Sequence, residues 1–309
     1  MKKLYFLFLY FLVPVSLFSQ GLLDQLDSAT PPQKEYVTGT FKGTRIINGQ
    51  SVELPGKGDL QFMIQHRFGS FRGGITDFFG LDQAGIRIGV EYTLPFYDGR
   101  ICVGIARSNY LKMWDGSIKY QMFRQSKGYK AFPFTIDLYA SMGITSLEFS
   151  NPNRTNYFSS RLSYCFQILW ARKFGKWFSM QLSPTVLHKN LVPLKEDQNT
   201  TAHLGIAGKL RISKRVSLSV EYFWPIYGQN FADINNLPIK GPLSLAVDIE
   251  TGGHVFQLIL TNSQACFDQT FIGETNQDWL NGDIHFGFNI TRSFSFKKGA
   301  KNTYKTKSE

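Results

Sequence analysis

Cysteine is scarce. Cys102, Cys165 and Cys266 stand far apart in 309 residues, which excludes a disulfide scaffold and a cysteine-based zinc site. Charge is scarce too: Asp, Glu, Lys and Arg make up 18% of the chain while Phe, Trp and Tyr reach 15%, the reverse of a disordered composition. The 28 Gly and 12 Pro argue against a helical bundle. Beyond residue 20, polar or charged residues interrupt every apolar run well short of the ~20 residues a spanning helix needs. A membrane crossing by this chain therefore requires a closed barrel, the other structure that satisfies its backbone groups in lipid. Nucleophile-elbow strings of the form G-x-S-x-G are missing. The paired glycines Gly73-Gly74 and Gly252-Gly253 have no helical run behind them, so they read as turns rather than phosphate cradles.

What is present begins with an address. Lys2 and Lys3 precede the apolar run Leu4 to Phe18, then the small Ser19 and Gln20, the shape of a secretory signal peptide over residues 1–20. No Cys stands at the cut, which argues against a lipoprotein anchor. The net charge is +11, and more than half of the excess sits in Lys2, Lys3 and the tail 297–309. No basic helix accompanies it, so a nucleic-acid partner is not expected. An anionic membrane surface is.

Alternation with period 2 dominates the rest. About twelve windows carry it, from Leu60-Phe62-Ile64 and Ile86-Ile88-Val90-Tyr92 through Leu162-Tyr164-Phe166-Ile168-Trp170 to Ile284-Phe286-Phe288-Ile290. The connections tend to alternate in length. Long ones cover about 69–83, 144–159, 190–200, 226–242 and 262–282; short ones cover 94–99, Gly175-Lys176, Ser213-Lys214-Arg215 and Thr251-Gly252-Gly253. The connections 107–112 and 124–131 are moderate, and 124–131 fits least well. Aromatics gather at the strand ends, as at Phe96-Tyr97 and Trp224-Tyr227, in the manner of interfacial girdles. The pattern predicts an all-β fold: a single antiparallel transmembrane β-barrel over 58–296, with long outer loops and short periplasmic turns. A periplasmic segment 21–57 precedes it and a basic disordered tail 297–309 follows. The denser patch Phe41 to Val52 could extend the barrel, lie in its mouth or stay loose.

Several strings resemble a family of outer-membrane β-barrels of unknown function from Bacteroidetes-type bacteria: RIINGQSVE (45–53), FFGLDQAGIRIGVEY (78–92), DGSIKYQ (115–121), GGHVFQLILTNS (252–263), FIGETNQDW (271–279) and GDIHFGFNITRSF (282–294). The resemblance implies an outer-membrane barrel of a Gram-negative bacterium and carries over no catalytic residue.

On the alternate parity lie Arg67, Arg87, Glu91, Asp115, Lys119, Asp137, Arg161, Lys209, Arg211, Glu221 and Asp248, the charges expected to line the lumen. Arg87 and Glu91 share one strand face; Lys119, Asp137 and Arg161 fall on consecutive strands; Lys209, Arg211 and Glu221 fall on neighbours. His203 and His285 are expected as polar groups at the outer mouth, with His66 as a possible neighbour of His285. No metal ligand set and no cofactor is expected, nor any catalytic residue. Loop 264–282, with Phe267, Phe271, Ile272 and Trp279, is unusually apolar for an exposed connection and is expected to fold inward. The leading functional reading is a channel or binding barrel that selects a small solute by its charged lumen. Its partners would be outer-membrane lipid and a small solute or a periplasmic protein. The alternatives are a closed structural or partner-binding barrel braced by internal salt bridges, and a lipid-modifying barrel enzyme.

Overall fold

The computed structural model describes residues 33–149, 151–153, 155–192, 197–227 and 239–296. The expected signal peptide, residues 21–32 and the basic tail lie outside the described residues.

Twelve strands close into one antiparallel barrel. In chain order they are β2 (Asp59–Ser70), β3 (Ala84–Thr93), β4 (Ile101–Ser108), β5 (Met113–Phe123), β7 (Thr135–Thr145), β8 (Leu162–Lys173), β9 (Phe178–Lys189), β10 (Thr200–Arg211), β11 (Val216–Tyr227), β12 (Leu243–Thr251), β13 (His254–Thr261) and β14 (His285–Ser295). Each pairs with the next, and β14 closes the ring on β2 with Ile290 opposite Ile64 and Phe294 opposite Leu60. Two short strands stand outside the ring: β1 (Lys34–Tyr36) and β6 (Ser126–Gly128) pair antiparallel, Glu35 opposite Lys127.

The strands form because their residues alternate, and the alternation is turned inside out. In β9 the inward Ser179, Gln181, Ser183 and Thr185 are buried, while Phe178, Pro184 and Val186 are exposed. In β3 the charged Arg87 and Glu91 are buried and Ile88 is exposed. A water-soluble sheet would bury the apolar parity. Here the apolar parity forms a continuous outer belt, which is stable only against hydrocarbon. Strand lengths of 8 to 12 residues suit tilted spanning strands.

Turn chemistry sets the register at the short-turn end. Gly252 and Gly253, both with positive φ (40° and 103°), make the two-residue link from Thr251 to His254. Such turns match the twist of the strands they join, and glycine takes them without strain. Two connections depart from strict alternation. The link 109–112 is a tight turn at the long-loop end. The link 124–134, at the other end, is longer because it carries β6 for pairing with β1.

The apolar core sits inside the barrel. Phe41, Ile46, Ile47 and Val52, from the segment expected on the periplasmic side, are buried against inward-facing Tyr139, Leu169, Leu187, Phe223 and Ile259. From the opposite end the connection 262–284 turns inward and forms the six-residue helix α1 (Asp268–Gly273), whose Phe271 and Ile272 complete the cluster.

Candidate functional site in the barrel lumen

Residues 44–51 form a small hairpin. Ile46 N donates to Gly49 O at 2.9 Å, Ser51 N donates to Thr44 O at 2.9 Å, and Arg45 bridges to Gln50. Inserted alone in a barrel, its outward backbone groups would be buried without partners, at a cost of about 1–3 kcal/mol each. The wall supplies the partners. Glu221 of β11 accepts the N–H of Asn48 at 2.7 Å, of Gly49 at 3.1 Å and of Ile47 at 3.2 Å. Asn289 and Gln257 donate to the carbonyls of Ile47 and Ile46 at 2.8 and 2.6 Å. The Lys119 ammonium donates to Ser51 O at 2.8 Å and Thr44 O at 3.2 Å. The Gln181 amide donates to Gln50 O at 2.7 Å and accepts from Val52 N at 3.1 Å. Arg67, fully buried, donates to Asn48 Oδ1 at 2.6 Å and Asn289 Oδ1 at 3.0 Å.

The second insert meets the first. Arg45 donates through Nη1 to Asn48 O of its own hairpin at 2.7 Å and to Asp268 Oδ1 at 3.1 Å. Tyr139 donates its hydroxyl to the other oxygen of Asp268 at 2.5 Å. Burial alone would lower the basicity of Arg45, but the adjoining Asp268 carboxylate, together with Tyr139, Glu91 and Asp115, holds the guanidinium above its ordinary range. Beside this pair, Phe271 meets Phe223 edge to face, with centroids 5.3 Å apart. Gly49 presses on the same ring: a Cβ there would lie 2.9 Å from Phe223 Cζ. The mouth of the insert is tied down by Lys189 to Glu274, by Lys240 to Asp278 at 3.1 Å, and by Trp279 Nε1 to Leu243 O at 2.9 Å.

The structure puts most of the candidate charges inside and gives several of them different partners from those the strand arithmetic suggested. Arg87 reaches past Glu91 and across β4 to Asp115, with Nε–Oδ2 at 2.9 Å and Nη2–Oδ1 at 2.5 Å. Lys119 and Glu221 hold the hairpin, and Lys209 donates to Gly39 O at 3.1 Å. Asp248 is buried and accepts from Ser219 at 2.5 Å and Gln257 at 2.8 Å. Asp137 is buried with neither oxygen in a hydrogen bond, and one oxygen of Glu91 is likewise unpartnered. Two candidates are not lumenal. Arg161 precedes β8 in a short 3-10 turn, where strand parity no longer applies; it braces Thr145 O and lies over the Phe149 ring. Arg211 ends β10 and folds back on Ser213 O at 3.0 Å. His203 is buried against Thr201 at 3.0 Å, and His285 lies 2.5 Å from the Gln277 amide. His66 stacks on Phe288 on the outer face, three residues along β14 from His285, which lies opposite Ser70 instead.

Sequence reading missed the hairpin as a lumenal plug. A signal was available: Tyr139, Leu169, Leu187, Phe223 and Ile259 fall on the inward parity, where a water-filled lumen would not place five large apolar side chains. Among the described residues no group of three His, Cys, Asp or Glu is arranged to hold a metal.

An apolar belt outside, a closed ring of strands and a filled polar interior define a membrane-bound β-barrel. The chain belongs to the membrane-bound beta barrel domain family DUF5777, whose model matches residues 41–294 and so takes in the lumenal hairpin. Among solved structures the chain is similar to the NanC porin, with TM-score 0.45 and 8% identity over 76% of this chain and 99% of that one. It is similar to the KdgM porin, at 0.43 and 8% over 77% and 99%. An outer membrane channel from Pseudomonas putida F1 gives 0.48 and 9% over 78% and 97%. No curated protein sequence matches it.

Proposed function

We propose that this protein is an outer-membrane barrel that rests closed, plugged by its own segment 40–53 around the hairpin 44–51, and that lumenal Glu221, Lys119 and Arg67 hold the plug rather than line an open pore. The observation that carries this reading is the grip of Glu221 on three consecutive backbone N–H groups of the hairpin. A carboxylate spent in that way has no capacity left for a passing solute. Lys119 and Arg67 are committed to the hairpin in the same manner. The long loops face outward from the cell and the short turns face the periplasm, the arrangement usual for such barrels.

Planar-bilayer conductance of the detergent-folded chain tests this. The full chain should be silent, and removal of residues 40–53 should give discrete steps. Steps of full size from the intact chain would sink the plugged reading in favour of a standing channel. A second reading, a gated passage for a small solute, is favoured by the polarity of the plug's contacts. Each wall-to-hairpin hydrogen bond exchanges with water at a net cost of only about 0.5–1.5 kcal/mol, or about 1.5–3 where a charged group is involved. The gate would then be the hairpin itself. The commitment of Glu221, Lys119 and Arg67 to the plug supports a non-enzymatic role.

A further inference from the structure

The two inserts enter from opposite ends, share one apolar cluster and are joined by a hydrogen bond from Arg45 to Asp268. The hairpin is attached on the short-turn side, running into β2 at Asp59. The connection bearing α1 is attached on the long-loop side, between β13 and β14. Resting on the plugged-barrel reading, we propose that the Arg45–Asp268 contact is a latch between them: withdrawal of the long-loop insert from the outer mouth frees the hairpin on the far side, so the barrel is opened from outside.

Three observations carry the inference. First, Arg45 is shared. The same Nη1 that reaches Asp268 also caps Asn48 O, so it holds the hairpin turn and the helix together. Both side chains are almost completely buried, at 2% and 3% exposure, so losing either strands the other charge in a low-dielectric interior. Second, an aromatic contact runs parallel to it. Gly49 lies on Phe223 and Phe223 lies on Phe271, so the hairpin tip and α1 share one ring. Third, the two ion pairs among the insert's tethers at the mouth are formed by groups that water reaches. Glu274, the partner of Lys189, is 37% exposed, and Lys240, the partner of Asp278, is 44% exposed. Exposed pairs of this kind are weak and screened by salt. The ion pairs at the rim are therefore weaker than the buried pair at the tip, which suits a segment that transmits its own displacement.

Two of the three native cysteines report on the two inserts separately. Cys102 starts β4 at the short-turn end, beside Lys119, whose ammonium holds the hairpin. Cys165 lies on β8 opposite Ser141, which contacts Asp268 and Gln269 of α1. All three thiols are free and buried. The test uses full-length detergent-folded protein in two single-cysteine forms: Cys165→Ser with Cys266→Ser, leaving Cys102, and Cys102→Ser with Cys266→Ser, leaving Cys165. Each is treated with a charged maleimide, with and without Asp268→Asn, and heat-dependent gel mobility verifies the barrel.

Asp268→Asn should raise labelling of both Cys102 and Cys165, each on the order of 10- to 100-fold, the change expected for losing one charge-assisted hydrogen bond. A rise at Cys165 with Cys102 still protected would overturn the latch, because the outer insert would have moved alone. No change at either site, with Cys102 released by deletion of 40–53, would overturn it too while leaving the plug intact. If deletion of 40–53 itself failed to expose Cys102, the plugged reading would fall and the latch with it. Should Asp268→Asn prevent folding, Tyr139→Phe removes only the hydroxyl bond to Asp268 and should act in the same direction by a few-fold.

Discussion

Glu221 and Gly49 are separated by 172 residues in the chain and joined by hydrogen bonds of 3.1 and 3.3 Å inside the barrel. The carboxylate belongs to the wall and the amide to the plug. Replacing Glu221 with Leu should leave the N–H groups of Ile47, Asn48 and Gly49 buried without an acceptor. We expect a loss of about 3–9 kcal/mol, about 1–3 for each of the three stranded N–H groups. Urea titration of the vesicle-folded protein, read by tryptophan fluorescence, measures it. An unchanged midpoint would mean that the hairpin does not depend on this grip.

Gly49 also packs against Phe223, with room for a Cβ only at 2.9 Å from the ring. Gly49→Val should therefore cost about 1–3 kcal/mol by overpacking. Pairing it with Phe223→Leu should recover part of that loss. Thermal melts followed by gel mobility would check it, and a double variant as weak as the single one would count against direct contact.

Arg87 and Asp115 form a buried bidentate pair. Truncating either alone leaves an unpaired charge in the lumen, which costs about 3–5 kcal/mol. Replacing both with apolar residues of similar volume should cost far less, since the pair carries its own desolvation penalty. A double-mutant cycle on unfolding free energy gives the coupling. Additive single costs would show that the two side chains act independently.

Ile88 lies mid-strand in β3 and is 47% exposed on the outer face. Ile88→Arg should destabilise the protein in vesicles by about 2–4 kcal/mol, the cost of a cation at the lipid midplane. At an ordinary water-facing position the same change would stay within about 0.5 kcal/mol. Folding yield into phospholipid vesicles distinguishes the two, and indifference to Arg at this site would place the face in water.

The ring of strands was legible in the residues because a strand's side chains alternate with an exact period of two, so a single parity marks a whole face. The polar face of β9, Ser179 to Thr185, and the apolar faces around Ile88 and Ile168 needed no tertiary information. Glycine pairs and loop lengths placed the ends in the same local way. Arg161 and Arg211 show where that logic stops: each sits at or past a strand end, where the backbone turns and parity has no meaning.

What the sequence by itself determined was a membrane barrel, its strand count and, within the strands, which parity faces inward, since these follow from local periodicity and from the backbone's need for partners in lipid. Only the tertiary structure decided what the inward charges do. Glu221, Lys119 and Arg67 could have faced water, one another or a third segment, and the choice depends on residues 66 to 173 positions away in the case of Lys119 and Glu221. Backbone amides of a hairpin carry no signature in composition or spacing. Their attraction to a carboxylate exists only once the closed ring removes water from around both.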